Sequence, residues 1–158
     1  MKRSTCVYLI KEGSWLMLLR NKKQNDINEG KWIGVGGKNE HQETFETCAV
    51  REVAEETGCT VHKLEFMGIV DFRYSSMEPE QIAVYTCHSF SGMPGECREG
   101  TLAWIPEQDI LNLSLWEGDR VFLTRILQGQ SIPFAITLEY DAEGNLTNVT
   151  EGELKRYE

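Results

Sequence analysis

The stretch GGKNEHQETFETCAVREVAEETGC, residues 36–59, carries the strongest local pattern in the chain. From about Thr44 to Thr57 the sequence follows a helical period. Gly58 stands where helices commonly end on a left-handed residue. The stretch therefore predicts a helix that follows a glycine-containing loop. Its apolar residues share one predicted face: Ala49, Val50, Val53 and Ala54.

The same helix carries three carboxylates on another face. At about 100° per residue, Glu52, Glu55 and Glu56 fall within roughly 100° of one another. Like charges at i,i+4 and carboxylates near a helix C-terminus both disfavour the helix. Arg51 can pair with Glu55, but one arginine does not neutralise three carboxylates. A divalent cation does, and oxygen ligands indicate Mg²⁺ or Mn²⁺; a solvated acidic face is the alternative.

The whole chain has the size and composition of one domain. It has 158 residues, 41% of them hydrophobic, with no repeat or linker, so we expect one domain over residues 1–158. No apolar run approaches the roughly 20 residues of a membrane-spanning helix. The N-terminal apolar runs are broken by Lys11, Glu12 and Gly13, which indicates no targeting segment.

Charge and cysteine content restrict the partners and the compartment. A formal net charge of -9 disfavours binding of a nucleic-acid polymer. A small anionic substrate is compatible if a metal ion intervenes. The five cysteines include no C-x-x-C pair, which favours reduced thiols and a cytoplasmic location. The sequence predicts no membrane partner and leaves the oligomeric state open.

Periodicity outside the central stretch predicts a mixed α/β domain. Residues 21–31 are polar and aperiodic, which predicts a loop. A second long helix is predicted over 117–128. The predicted strands cover residues 5–10, 15–20, 60–74, 81–90 and 101–105, with a final hairpin over 134–150.

The spacing within the central stretch is that of a known motif. From Gly37 the chain runs Gly, five residues, Glu43, seven residues, Arg51-Glu52-Val53, one residue, Glu55-Glu56, one residue, Gly58 and Cys59. This resembles the complete Nudix box, G-x5-E-x7-R-E-U-x-E-E-x-G-U, where U is usually a bulky aliphatic residue. Cys59 departs from it, although a buried cysteine acts as a small hydrophobe. The resemblance implies the Nudix fold, an α/β (α+β) domain with a mixed β-sheet sandwiched between helices.

Resemblance to the Nudix hydrolases also implies roles for individual residues. The metal ligands would be the Gly36 carbonyl and four catalytic glutamates, Glu52, Glu55, Glu56 and Glu99. Glu99 is included because its placement is similar to that of the additional glutamate in MutT-type members. Glu52 or a glutamate outside the box would be the general base. Glu43 would orient Arg51, behind the ligands. Lys23 and Lys38 would contact substrate phosphate, or else are solvated lysines.

Two further segments carry a narrower resemblance that covers nearly the whole chain. EGKWIGVGGK, residues 29–38, and EGTLAWIPEQDILNLSLWEGD, residues 99–119, resemble the MutT/MutX-type 8-oxo-dGTP diphosphatases. The resemblance implies that Trp116 stacks on a purine and that Asp119 bonds its edge. The human oxidised-purine counterpart has Trp-Pro-Asp-Asp here and a base-reading asparagine where this chain has Ile33. A packing role for Trp116 and a helix-capping role for Asp119 stay open.

The resemblance predicts a Mg²⁺-dependent enzyme acting on a small nucleotide. Its expected reaction converts oxidised purine (deoxy)nucleoside triphosphates, such as 8-oxo-dGTP, to the monophosphate and pyrophosphate, which cleanses the nucleotide pool. Alternative substrates are ADP-ribose, dinucleoside polyphosphates and a pterin triphosphate. A non-catalytic nucleotide sensor is disfavoured because no box glutamate is missing.

Overall fold

The computed structural model describes residues 1–154. Two α-helices, a 3-10 helix over Glu107–Asn112 and eight strands are formed in this part of the chain. The helices are α1 (Phe45–Thr57) and α2 (Glu117–Gln128). The strands are β1 (Lys2–Lys11), β2 (Ser14–Arg20), β3 (Trp32–Ile33), β4 (Thr60–Tyr74), β5 (Glu80–Ser91), β6 (Gly100–Pro106), β7 (Phe134–Tyr140) and β8 (Leu146–Glu151). No helix within residues 1–154 is both long enough and apolar enough to cross a membrane.

β1 joins the two parts of one mixed sheet. Its residues 2–9 pair in parallel with β5, whereas Ile10 and Lys11 pair antiparallel with β2. The strand order is β3-β2-β1-β5-β4-β7-β8, and β6 pairs with β2. The parallel pairing with β5 explains why β1 begins at Lys2, earlier than its apolar run predicts.

Side-chain alternation along β1 supplies two hydrophobic cores on opposite faces of the sheet. Val7 packs in one core with Val53 of α1. Its neighbour Tyr8 packs in the other core with Phe122 of α2. A strand that is buried on both faces has a continuous apolar sequence, as β1 does. One helix therefore covers each face, which confirms the predicted α/β (α+β) fold with a mixed sheet between helices.

Both ends of α1 are capped, and the C-terminal cap is the predicted Gly58. The Thr44 side chain caps the helix by accepting a hydrogen bond from the Thr47 N–H, with N and Oγ1 3.0 Å apart. Gly58 ends the helix at a φ of 80° and donates its N–H to the Ala54 carbonyl. The predicted helix over 44–57 therefore forms from Phe45 to Thr57.

The buried face of α1 differs from the predicted one. Val50 is 40% exposed and Ala54 is exposed as well, so the face predicted from apolar residues was partly wrong. The buried residues are Cys48, Ala49, Val53, Glu56 and Thr57. The helix is rotated relative to the predicted orientation, because Glu56 and, in part, Glu52 face the protein while Glu55 faces solvent. Burial of Glu56 places a carboxylate where periodicity alone predicts an exposed one.

Residues 34–39 run beside β1, and this contact explains the glycines. The Thr5 N–H donates to the Gly37 carbonyl, and Val7 and Val35 exchange backbone hydrogen bonds. A Cβ on Gly36 would lie 1.9 Å from the Thr5 carbonyl oxygen. Neither Gly36 nor Gly37 has a positive φ. Gly36 is therefore needed for close approach to β1, and neither glycine is needed for a left-handed backbone conformation.

A substitution at Gly100 tests the packing that places the start of β6. Gly100 pairs with Arg20, and a Cβ there would lie 1.8 Å from the Leu19 carbonyl oxygen. We expect Gly100→Ala to lower the free energy of unfolding by about 1–3 kcal/mol, because backbone atoms must separate. Urea denaturation measures this value. Gly95→Ala is the matched control, since its Cβ would meet only the Thr57 carbonyl oxygen at 4.0 Å; equal effects of the two variants would contradict the prediction.

Candidate active site

A cavity of about 640 Å³ opens between α1, one face of the sheet and the loop over residues 21–31. The register of β1, β5 and β4 builds its floor. Cys6 pairs with Val84, and Ser4 pairs with Ile82, which in turn pairs with Val70. These side chains share one face because alternate residues of a strand point the same way. The sheet therefore forms a largely apolar floor that leads from the glycine segment towards Phe72.

Glu56 and Glu52 stand at the glycine end of this cavity. Glu56 accepts a hydrogen bond from the Gly36 N–H, with N and Oε2 3.1 Å apart. The Glu52 carboxyl carbon would lie 2.5 Å from a Cβ on Gly37, so this carboxylate lies directly against that glycine. Only a glycine segment permits both carboxylates to approach the backbone so closely.

The protonation of these two carboxylates is dominated by burial. Burial raises the pKa of Glu56 to about 8, and the charges of Glu99 and Glu52 raise it as well, against the hydrogen bond from Gly36. Burial also raises the pKa of Glu52, although Arg51 opposes this shift. Burial is thus the main cause of both shifts, and the negative charge of neighbouring glutamates adds to it.

Arg51 forms ion pairs with several members of the acidic cluster, which consists of Glu43, Glu52, Glu55, Glu56 and Glu99. Its Nε lies 2.6 Å from Glu43 Oε2, and its Nη1 lies 2.8 Å from Glu52 and 3.1 Å from Glu55. Its Nη2 donates to the Lys38 carbonyl, which ties the helix to the glycine segment. Hydrogen bonds from Arg51 are the main cause that lowers the pKa of Glu43 to about 2. Glu43 thus holds the guanidinium in place, as expected of a residue behind the ligands.

Glu99 approaches the cavity from the residue just before β6. Its Oε2 lies 3.0 Å from Arg20 Nη1. Arg20 is the last residue of β2, and its Nε lies 2.8 Å from Asp26 Oδ2. Arg20 therefore lies between a carboxylate of the acidic cluster and a carboxylate of the loop.

The acidic residues fit a hard divalent cation by their chemistry, although they are not arranged around one point. Gly36, Glu52, Glu56 and Glu99 line the same cavity, and their oxygens are the donors that such ions prefer. Within residues 1–154, no three His, Cys, Asp or Glu side chains already form a metal-binding group. Arg51 and Arg20 hold Glu52, Glu55 and Glu99 in ion pairs instead. Glu55 does not line the cavity, which differs from its predicted place among the ligands.

The lining of the cavity carries more acidic than basic residues. The basic residues are Lys2, Arg20, Lys23 and Lys38, so both predicted phosphate-binding lysines line the cavity. The acidic ones are Asp26, Glu52, Glu56, Glu78, Glu80, Glu99 and Asp119. A polyphosphate entering this cavity meets net negative charge unless cations accompany it.

Trp116 lies at the far end of the cavity and is mostly buried. It exposes 5% of its surface, and its ring is T-shaped to Phe72 at a centroid distance of 5.4 Å. Its Nε1–H donates to Asn28 Oδ1, with a separation of 2.7 Å. Lys31 Nζ lies 5.5 Å from the ring centroid. Trp116 is therefore a packed residue that offers only a small part of its surface to a ligand.

Asp119 lines the same end, in the first turn of α2. No side chain caps that helix, whose N-cap is Trp116, so Asp119 is not the cap. Burial raises the pKa of Asp119 to about 7, and the charge of Lys31 lowers it. The Asp119 charge in turn helps to raise the pKa values of Cys6 and Tyr8. A carboxyl group in this setting can both donate and accept hydrogen bonds near neutral pH.

Sequence reasoning did not select several residues that the structure places at the site. Phe72, Cys6 and Asn28 line the cavity, and Asn28 also holds Trp116. Alternation within β4 and β1 was the only available signal for Phe72 and Cys6. The role of Asn28 depends on a contact across 88 positions, for which the sequence carries no local signal.

Comparisons with known proteins agree with this architecture. The NUDIX domain family model matches residues 1–126. The chain is 30% identical over 128 residues to an oxidized purine nucleoside triphosphate hydrolase of Danio rerio, an alignment that covers 80% of each chain. It is also 30% identical over 112 residues to the protein of the same name from Mus musculus, covering 70% of this chain and 72% of the other.

A solved structure shares the fold over nearly the whole chain. The crystal structure of a MutT protein from Bacillus halodurans matches with a TM-score of 0.85 and covers 95% of this chain and 97% of that one. The two sequences are 23% identical. At that identity the match shows a common fold.

The raised pKa of Asp119 predicts a specific pH dependence of stability. The folded protein binds this proton more tightly than the unfolded chain, so stability falls as pH rises from about 4 to about 7 and then levels off. Asp119→Asn lacks this contribution. We expect the stability of the wild type relative to the variant to decrease over that interval, measured by urea denaturation. Glu56 shifts in the same direction but is present in both proteins, so its effect cancels; parallel pH profiles would contradict the prediction.

Proposed function

The chain belongs to the Nudix hydrolase family, as the match over residues 1–126 shows, and we propose on this basis that it hydrolyses oxidised purine (deoxy)nucleoside triphosphates. The products are the nucleoside monophosphate and pyrophosphate, and 8-oxo-dGTP is the representative substrate. The proposed role is to cleanse the nucleotide pool in the cytoplasm. All five cysteines are free thiols, which fits a reducing compartment.

The proposed dependence on a metal ion rests on the acidic residues that line the cavity. Glu52, Glu56 and Glu99 repel one another at the glycine end, where Lys23 and Lys38 also line the wall. We assign Mg²⁺, with Mn²⁺ as a substitute, to the oxygens of these glutamates and of Gly36. Such an ion, when bound, neutralises phosphate charge and lowers the pKa of a coordinated water.

The proposed reaction requires the protein to position a water and the triphosphate. Glu52 or Glu99 is assigned as the group that accepts the proton of the attacking water, because both carboxylates line the cavity. Arg51 and Glu43 keep the helix carboxylates aligned with the glycine segment. Lys23 and Lys38 are assigned to the phosphates, where positive charge offsets the acidic lining. Glu55 is assigned as an outer ligand, reached when Arg51 releases it.

We assign the purine base of the substrate to the far end of the cavity. Phe72 and Trp116 provide aromatic surface, and Asp119 provides a hydrogen-bonding carboxyl group at the same end. The similarity to two hydrolases named for oxidized purine nucleoside triphosphates supports the choice of base. ADP-ribose, dinucleoside polyphosphates and a pterin triphosphate are the alternative substrates, since the acidic end would serve each of them.

A comparison of substrates with wild type and Glu56→Gln tests the proposal. Pyrophosphate release is measured with 8-oxo-dGTP, dGTP and ATP, and AMP release with ADP-ribose and diadenosine tetraphosphate, each with and without Mg²⁺. We expect the highest kcat/KM for 8-oxo-dGTP and no release without the metal. Glu56→Gln should lower kcat by about 100-fold or more while the fold survives, because glutamine still accepts the Gly36 hydrogen bond but cannot bind a divalent cation as a carboxylate does.

Glu46→Gln is the matched control for this variant. Glu46 is an exposed residue in the first turn of the same helix, so its loss of charge should leave kcat within about twofold. Near-normal turnover of Glu56→Gln would contradict the metal assignment. If AMP is released from ADP-ribose but no triphosphate yields pyrophosphate, the result would support the metal site. It would reject a purine nucleoside triphosphate as the substrate.

Trp116→Phe tests whether the purine binds at the base end of the cavity, which is lined by Phe72, Trp116 and Asp119. Phenylalanine keeps aromatic burial but loses the Nε1–H bond to Asn28, whereas alanine would leave a large cavity costing about 3–5 kcal/mol. We expect KM for 8-oxo-dGTP to rise at least about threefold with kcat little changed, because the base contacts shift while the phosphates stay in place. Steady-state kinetics measures both constants. Trp104→Phe is a control at a tryptophan that does not line the cavity; unchanged KM in Trp116→Phe would assign Trp116 to packing alone.

A further inference from the structure

Arg20 is the one side chain among the described residues that joins the acidic end of the cavity to the loop over residues 21–31 by ion pairs. Its Nη1 lies 3.0 Å from Glu99 Oε2, and its Nε lies 2.8 Å from Asp26 Oδ2. The side chains of Arg20 and Asp26 are 11% and 6% exposed. One buried positive charge is therefore shared by two carboxylates that belong to different parts of the site.

Asp26 continues the connection towards the base end. Its Oδ1 accepts a hydrogen bond from the Asn28 N–H at 3.1 Å. Asn28 in turn accepts the Nε1–H of Trp116 at 2.7 Å. Contacts thus run without a gap from Glu99 through Arg20, Asp26 and Asn28 to Trp116.

The geometry of the Arg20–Asp26 pair argues against a simple stabilising role. Arg20 Nε and Asp26 Oδ2 are both buried, and neither forms a well-aligned hydrogen bond with any residue of the described range 1–154, although the two atoms are only 2.8 Å apart. A buried ion pair without aligned hydrogen bonds recovers its desolvation cost poorly. An apolar pair would fill this space at lower cost, so the charges call for another explanation.

We propose that Arg20 and Asp26 are positioning residues that divide one positive charge between the two ends of the site. Asp26 offsets part of the Arg20 charge, which weakens the attraction between Arg20 and Glu99 and lets a divalent cation compete for Glu99. Arg20 in return holds Asp26, which fixes Asn28 and, through it, Trp116. This inference rests on the proposed function, since it assigns the two ends to metal-bound phosphate and to the purine.

The proposal predicts that Asp26→Asn and Arg20→Gln change the affinity for Mn²⁺ in opposite directions. Asp26→Asn leaves Arg20 paired with Glu99 alone, so Mn²⁺ should bind more weakly. Arg20→Gln releases Glu99, so Mn²⁺ should bind more tightly. Isothermal titration of Mn²⁺ into the nucleotide-free protein measures both, and we expect shifts of about threefold or more, the scale of interactions between neighbouring charges.

The same two variants should change KM for 8-oxo-dGTP in the same direction. Both remove the ion pair that holds the loop, so both should raise KM for 8-oxo-dGTP at saturating Mg²⁺. Simple electrostatics predicts otherwise: Asp26→Asn removes a negative charge and would lower KM for an anionic nucleotide, whereas Arg20→Gln would raise it. The direction of the KM change in Asp26→Asn therefore separates positioning from bulk charge.

Matched variants keep the test decisive. Glu29→Gln removes an exposed carboxylate from the same loop that does not line the cavity, and it should change neither Mn²⁺ affinity nor KM. Asp26→Glu keeps the charge and should restore Mn²⁺ affinity relative to Asp26→Asn. If Arg20→Gln fails to fold, the contrast between Asp26→Asn and Asp26→Glu decides the matter.

The results separate this inference from the proposed function. If the wild type hydrolyses 8-oxo-dGTP but Asp26→Asn leaves KM and Mn²⁺ affinity unchanged, or lowers KM, the inference is overturned and the function stands. If the wild type hydrolyses none of the tested nucleotides, the proposed function fails. In that case opposite Mn²⁺ shifts in Asp26→Asn and Arg20→Gln would still support the shared charge, and shifts in one direction would reject it.

Discussion

The close approach of the glycine segment to β1 is the constraint on which the site depends. A Cβ on Gly36 would lie 1.9 Å from the Thr5 carbonyl oxygen, so no other residue fits there without moving the backbone. The approach leaves the Gly36 N–H directed at Glu56 and leaves room for the Glu52 carboxylate against Gly37. α1 therefore packs with Glu52 and Glu56 turned towards the protein, whereas Glu55 stays exposed.

This packing brings several carboxylates close together, and arginine side chains neutralise their negative charge only in part. Arg51 pairs with Glu43, Glu52 and Glu55 from the outer side of α1, and Arg20 pairs with Glu99 across the cavity. Within residues 1–154, Glu56 accepts one hydrogen bond from a backbone N–H and forms no ion pair, and its pKa rises to about 8. Buried carboxylates that repel one another are costly to the fold, and proteins retain such costs mainly where a ligand uses them.

The two ends of the cavity are held by different kinds of interaction. The acidic end depends on charge and on the close backbone approach, whereas the far end depends on aromatic packing of Trp116 with Phe72, Tyr74 and Tyr140. Arg20 at the end of β2, with Asp26 and Asn28 of the loop over residues 21–31, connects the two ends. A chain of contacts of this kind can couple the geometry of the two ends without a large conformational change.

The sequence by itself determined most of the elements and the positions of the carboxylates along α1. Spacing from Gly37 to Gly58 specified the helix, its C-terminal cap at Gly58 and its carboxylates, because these depend on neighbours within a few turns. Only the tertiary structure decided which side of α1 is buried, that Glu55 lies outside the cavity, and that Trp116 packs with little exposed surface. Those features depend on contacts between residues far apart in the chain, such as Gly36 with Thr5 and Asn28 with Trp116, for which local periodicity contains no signal.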